Sequence, residues 1–183
     1  MKNKNSVFAI ILASAFFLSS VAASSSDDAK SKKNEVAWHS FEQGLAVSKK
    51  EKKMMVVDFY TTWCGWCKVM DKETYGNAKV VKFAKDKLVL VKVNAESNEK
   101  TRFRDKEYTY RDLALAFGVT GYPATAFIDA SGEVLTLVPG YIPPDKFLPV
   151  LEYLADGHHK TMKFDEFLAK RNKTQPDADR SAH

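Results

Sequence analysis

Hydrophobic and polar positions follow two different periods along this chain, and the switches between them mark out its elements. Trp38, Phe41, Leu45 and Val47 recur at helical spacing and predict an amphipathic first helix. Met54-Met55-Val56-Val57-Asp58-Phe59-Tyr60 is an apolar run of strand length, interrupted by one acid. A helix is expected from Cys64 to about Thr74. Tyr75-Gly76-Asn77 breaks it, and Asn77 caps a second helical piece carrying Val80, Val81 and Ala84. Leu88-Val89-Leu90-Val91-Lys92-Val93 reads as another buried strand. The charged segment from Ala95 to Arg111 is turn-rich. A short helix follows with Leu113, Ala116 and Phe117 on one face, and Gly118 stops it.

Ala124 to Ile128 returns to strand character, and Asp129-Ala130-Ser131-Gly132 turns the chain into an antiparallel neighbour, Glu133 to Val138. Pro143-Pro144-Asp145 opens a helix with Phe147, Leu148, Leu151 and Leu154 along one side. A last short helix covers Phe164 to Ala169, and a disordered tail is expected from Asn172 to His183. Strand, helix, strand, helix, hairpin and helix predict an α/β fold, a mixed central sheet flanked by helices on both faces. No internal repeat interrupts that order.

The N-terminus bears on the compartment. Lys2 and Lys4 precede an apolar run from Val7 to Leu18, and Val21-Ala22-Ala23 follows. Charged, apolar and small residues in that order predict a secretory signal peptide over residues 1–23, cleaved near Ala23. An uncleaved anchor is the alternative, but the run is shorter than the roughly 20 residues a spanning helix needs. Residues 24–34 read as a flexible leader, 35–157 as one domain, 158–171 as a helical extension and 172–183 as the tail. The formal net charge of +5 falls to +3 when Lys2 and Lys4 leave with the signal. The densest basic run, Lys49-Lys50-Glu51-Lys52-Lys53, reads as a solvated helix end. No aromatic residue interleaves it, so no nucleic-acid partner is expected.

Only two cysteines occur, in Trp63-Cys64-Gly65-Trp66-Cys67-Lys68, at a strand-to-helix turn. Small exported folds usually spread several cysteines as staples. Here the pair has no partner elsewhere and is suited to thiol–disulfide exchange. The thiolate is the attacking species, and the first turn of a helix stabilises it through unpaired N–H groups and the helix dipole. Cys64 is therefore expected as the exposed nucleophile and Cys67, one turn on, as the deeper resolving thiol. Zinc would need two more ligands. His39, His158, His159 and His183 show no ligand spacing to Cys64, and His158-His159 reads as a solvated helix end. No metal and no cofactor are expected.

Val56-Val57-Asp58-Phe59-Tyr60, the cysteine pair, and Gly121-Tyr122-Pro123-Ala124-Thr125 together resemble the thioredoxin superfamily over roughly residues 36–157. Among its exported bacterial members, Lys72-Glu73-Thr74 and Val91-Lys92-Val93-Asn94-Ala95 resemble the C-terminal thioredoxin domain of the transmembrane disulfide reductase. Pro139-Gly140-Tyr141-Ile142 and Tyr153-Leu154-Ala155-Asp156-Gly157 resemble the periplasmic thioredoxins of sulfur-oxidation operons. The resemblance implies a thioredoxin fold, with Pro123 as a cis-proline facing the cysteines. By itself Pro123 would read as a trans turn residue. It implies Asp58 as a buried acid that moves the proton of Cys67, against an acid at a strand edge in solvent. It implies Lys92 as the partner of that acid, against a lysine snorkelling from a strand end. Trp63, Gly65, Trp66, Tyr122 and Pro123 become the substrate groove, with Tyr122 offering its backbone to an extended chain and Trp66 flanking Cys64 beside it. For Trp63 the alternative is core packing.

The pattern departs from thioredoxins at Trp66, which stands where they carry proline. No histidine sits there either, as it often does in strong oxidants of the superfamily, and this points towards a reductant. The expected function is a periplasmic disulfide reductase, a monomer acting on protein disulfides and supplied by a membrane-embedded thiol donor. An oxidase or isomerase of exported proteins is the alternative within that chemistry. Outside it stand a Cu(I) metallochaperone, with Met70 as a candidate extra ligand, and a peptide-binding fold with incidental thiols.

Overall fold

The structure is a computed structural model that describes residues 35–174. The expected signal segment and leader, 1–34, and residues 175–183 of the expected tail lie outside the described residues. The chain enters through β1 (Trp38–His39), α1 (Phe41–Glu51) and β2 (Met54–Tyr60). α2 (Gly65–Met70) passes directly into a π-helical turn (Asp71–Tyr75), followed by α3 (Ala78–Lys87) and β3 (Leu88–Asn94). A separate hairpin of β4 (Lys100–Phe103) and β5 (Lys106–Thr109) leads into α4 (Tyr110–Ala116). β6 (Ala124–Ile128), β7 (Val134–Pro139), α5 (Pro144–Ala155) and α6 (Phe164–Thr174) complete the order.

The main sheet runs β1-β3-β2-β6-β7. β2 pairs parallel with β3 and antiparallel with β6, so it is the central strand and is buried on both faces. That explains its near-continuous apolar sequence. Met55, Val57 and Phe59 join a core with Phe41, Val91, Val93 and Leu113, under α1 and α4. Met54 and Val56 join the opposite core with Met70, Tyr75, Val80, Phe127, Phe147 and Leu151, under α2, α3 and α5. Strand alternation puts Asp58 on this second face, an acid among apolar neighbours.

α1 lies close on β3 because Gly44 has no side chain. A Cβ there would stand 2.1 Å from Val91 Cγ2. Gly44→Ala is therefore expected to destabilise the fold by about 1–3 kcal/mol through overpacking. The gain in helix propensity, about 1 kcal/mol, falls short of that. Urea unfolding would read it as a lower midpoint. An unchanged midpoint would mean that α1 lifts off at no cost.

Several expectations are corrected. Trp38 belongs to a strand, pairing with Leu90, because Ser40 and Gln43 form a capping box that starts α1 at Phe41. Ala116 is exposed, and Ala114 takes its place on the buried face of α4. The turn-rich segment after Ala95 contains the β4–β5 hairpin. Its two-residue turn, Arg104-Asp105, has φ of 49° and 62°, so both residues adopt the left-handed region such a turn needs. α6 continues through Thr174, past the expected end at Ala169 and into the segment read as tail. His158 and His159 lie in a short helical turn after α5 as expected, but they are half-buried and not fully solvated. The His158 ring packs on Phe167 and His159 faces Tyr153, because Tyr153 ties the extension down through Phe164 and Phe167.

Candidate active site

β2 delivers the chain to one edge of the sheet at Tyr60, and the turn that follows hands it to α2. Cys64 is the N-cap of α2, with extended backbone, and Cys67 N–H donates to its sulfur at 3.1 Å. The two cysteines are joined in a disulfide. Their exposures are 4% and 3%, which corrects the picture of an open Cys64 above a sheltered Cys67. Bonding to Cys67 and accepting its N–H turn the Cys64 sulfur towards the helix instead of solvent. Gly65 is exposed, and a Cβ there would meet nothing within 4 Å. The approach over the first turn is open.

Two aromatic pairs stand around the disulfide. Trp63 is 67% exposed, so core packing is not its role. Its ring meets Tyr122 edge-on at 6.1 Å, and its indole N–H donates to Glu96 at 3.0 Å. Arg111 in turn donates to the Glu96 carbonyl. Trp66, 61% exposed, pairs with Tyr141 at 5.4 Å. The Tyr141 hydroxyl donates to Glu73 at 2.8 Å, and that bond raises the phenol above its ordinary pKa. Thr74 donates to the Ile142 carbonyl, tying the loop after β7 to the π-helical turn. Trp66 and Tyr122 thus belong to different pairs, with Tyr141 the member that sequence reasoning missed. The π-helical turn itself ends at Gly76, where a Cβ would stand 2.4 Å from the Lys72 carbonyl oxygen.

Tyr122-Pro123 is a cis peptide bond, immediately before β6. The Pro123 carbonyl accepts from Gly140 N–H at 2.8 Å. Among the described residues, no backbone hydrogen bond engages the N–H or C=O of Tyr122.

Asp58 is 1% exposed, so it does not reach solvent from a strand edge. In register it faces Lys92 on β3 and Thr125 on β6. Lys92 Nζ lies 3.8 Å from Asp58 Oδ2 but hydrogen-bonds more closely to Asp71. Its ammonium also sits over the rings of Trp38 and Tyr60, 4.9 Å from each centroid. The expected Asp58–Lys92 pair is therefore a shared arrangement of two acids on one lysine. Burial pushes the Asp58 carboxyl up to about 7, the Lys92 charge opposes this, and Asp71 adds to it. A carboxyl poised there exchanges protons near neutral pH. Asp71 had a legible signal, since it stands four residues after Cys67 on the same helical track.

Met70 is fully buried in the core under α2. Among the described residues, no group of three or more His, Cys, Asp or Glu could hold a metal ion. Nor is any described helix long and apolar enough to cross a membrane.

The thioredoxin-like domain family matches residues 41–155. The disulfide bond reductase DsbH of Chlamydia pneumoniae is 30% identical over 101 residues, 54% of this chain and 59% of its own length. The thiol:disulfide interchange protein DsbD of Pseudoalteromonas atlantica is 29% identical over 96 residues, 52% of this chain and 15% of DsbD. The chain thus spans less than two thirds of either curated relative. A thioredoxin-fold protein from Helicobacter pylori superposes with a TM-score of 0.58 at 25% identity, covering 68% of this chain and 82% of that one.

Proposed function

The chain belongs to the thioredoxin-like domain family, and from that premise we propose that it is a periplasmic disulfide reductase acting through Cys64 and Cys67. The observation that carries this reading is the Cys64 sulfur at the N-cap of α2, accepting the Cys67 N–H. In the reduced protein the same donor and the helix start stabilise a Cys64 thiolate.

The Cys64 thiolate attacks one sulfur of a substrate disulfide. The S–S bond breaks, one substrate cysteine leaves as thiolate, and a mixed disulfide forms. Cys67 then attacks the Cys64 sulfur and releases the second substrate thiol. Two electrons have passed to the substrate, and the Cys64–Cys67 disulfide is restored. Asp58, ionised, accepts the Cys67 proton and becomes the neutral acid, and Lys92 steadies its carboxylate before the transfer. The open backbone of Tyr122 beside Pro123 pairs with an extended substrate segment, and the rings of Trp63 and Trp66 hold its flanks.

The reducing direction rests on Trp66, a position without the histidine that would stabilise the reduced form, and on the likeness to a relative named as a disulfide bond reductase. Residues 1–23 supply the export signal. Outside the cytoplasm no nicotinamide pool drives reduction, so a membrane-embedded thiol carrier returns the electrons to this monomer. The test is the equilibrium potential of the pair, with insulin reduction as the assay. A value nearer ~−270 mV than ~−120 mV is expected. A value at the oxidising end, with rapid oxidation of unfolded reduced proteins, would make it an oxidase.

A further inference from the structure

Trp63 directly precedes Cys64 and Trp66 directly precedes Cys67, and each tryptophan belongs to a set of the same three groups. One set is Trp63, Tyr122 and Glu96; the other is Trp66, Tyr141 and Glu73. In both, the tryptophan meets the tyrosine ring to ring, and one of the two donates to the acid. The Trp63 indole N–H donates to Glu96 Oε1 at 3.0 Å, and the Tyr141 hydroxyl donates to Glu73 Oε2 at 2.8 Å. Both tryptophans and both glutamates are exposed. The acids arrive from unrelated segments, Glu96 after β3 and Glu73 in the π-helical turn. The chain as a whole carries a net charge of +5, so acids at both places are not the overspill of an acidic surface.

Elsewhere in the fold the same three groups hold a cation. The Lys92 ammonium sits over Trp38 and Tyr60 and pairs with the Asp71 carboxylate. Aromatic faces attract a cation through their quadrupole, tryptophan most strongly, and an adjacent carboxylate adds to that attraction. Among the described residues, no lysine or arginine forms an ion pair with Glu73 or Glu96. Arg111 spends its guanidinium on the Glu96 carbonyl oxygen, not on the carboxylate. We propose that the two sets select substrate disulfides flanked by basic side chains, an arginine or lysine lying on each tryptophan with its charge towards the glutamate. Arginine suits them best, because its planar guanidinium both stacks on a ring and bonds a carboxylate. The inference rests on the reading of Cys64 and Cys67 as a disulfide-reducing pair, and it names the substrate class of that site. Lys68 on α2 and Lys72 in the π-helical turn, both exposed, are the nearby charges that oppose it.

Three short peptide disulfides test this, alike except that arginine, alanine or glutamate flanks the cysteines. Each is mixed with the reduced protein, and the second-order rate constant of its reduction is read. The arginine peptide should react roughly tenfold faster than the alanine peptide, the size expected of an exposed cation–π contact with an exposed ion pair. High salt should shrink that advantage. Glutamine still offers an oxygen to the Trp63 N–H or the Tyr141 hydroxyl and removes only the charge. Glu73→Gln and Glu96→Gln should each cut the arginine-to-alanine ratio about threefold, and the double variant should bring it near one. The ratio is internal to each protein, so a loss of active material cancels. If the wild type reduces all three peptides at one rate, or the ratio survives in the double variant, this inference falls and the exchange reaction stands. Preference for the glutamate peptide would give the selection to Lys68 and Lys72 and overturn it likewise. If neither the three peptides nor insulin is reduced, the reading of the site as a disulfide reductase falls with it.

Discussion

Cys64→Ser is expected to reduce disulfide exchange to background, whereas Cys67→Ser should stop it halfway. The asymmetry follows from the helix start. Serine at 64 has no thiolate to offer at the one position where a backbone N–H meets the sulfur. Serine at 67 leaves that nucleophile in place and removes only the thiol that resolves the intermediate. Cys67→Ser should therefore accumulate a mixed disulfide through Cys64, visible by mass and released by reductant. In the reduced wild type, alkylation across pH should show Cys64 reacting as a low-pKa thiol and Cys67 as an ordinary one. The near-equal burial of the two residues in the oxidised protein makes this a sharp test. Access in the oxidised protein does not separate them, so a difference points to the charges and dipoles around each thiol. Equal titration of both thiols, or trapping through Cys67, would reverse the assignment.

The parts of the site that were legible in sequence are those where one residue type has one physical use. An acid in a seven-residue apolar strand and a cysteine pair at a strand-to-helix turn leave few choices, and both stand where expected. The cis bond at Pro123 is expected only from the resemblance, since proline alone reads as a trans turn residue. Charged strands were not legible. Thr101 and Phe103 do alternate inward on β4, but Lys100, Arg102 and Lys106 dilute the pattern. The Arg104-Asp105 turn also lacks the asparagine–glycine signature of its type. Trp38 was misread because it sits three residues from Phe41, a helical spacing. The Ser40 cap between them sets the boundary. Relations between elements were out of reach. That Lys92 serves Asp71 as well as Asp58, and that Trp66 pairs with Tyr141, depends on how the π-helical turn and the loop after β7 lie together.

Asp58→Asn should have opposite effects on catalysis and on stability. Turnover at neutral pH should fall by about 10²-fold, the low end of what a placed proton acceptor supplies. The fold should become more stable over the same range. The folded-state pKa of about 7 lies above the ordinary carboxyl value of 3.8, so between those values the folded protein binds the proton and the unfolded chain does not. Stability from this group is therefore full at acid pH, is lost as pH rises towards 7, and stays lost above it. A shift of that size is worth at most about 4 kcal/mol. Asparagine carries no charge to desolvate, so the variant should lack this slope and exceed the wild type by a few kcal/mol at pH 8. The loss of the Asp58 charge leaves Lys92 on Asp71, its closer partner, which limits any penalty from the broken pair. Urea unfolding of the oxidised proteins from pH 4 to pH 9 reads both curves. Superimposed curves would mean that Asp58 ionises in the fold as it does in water, and its place in the proton path would go with them.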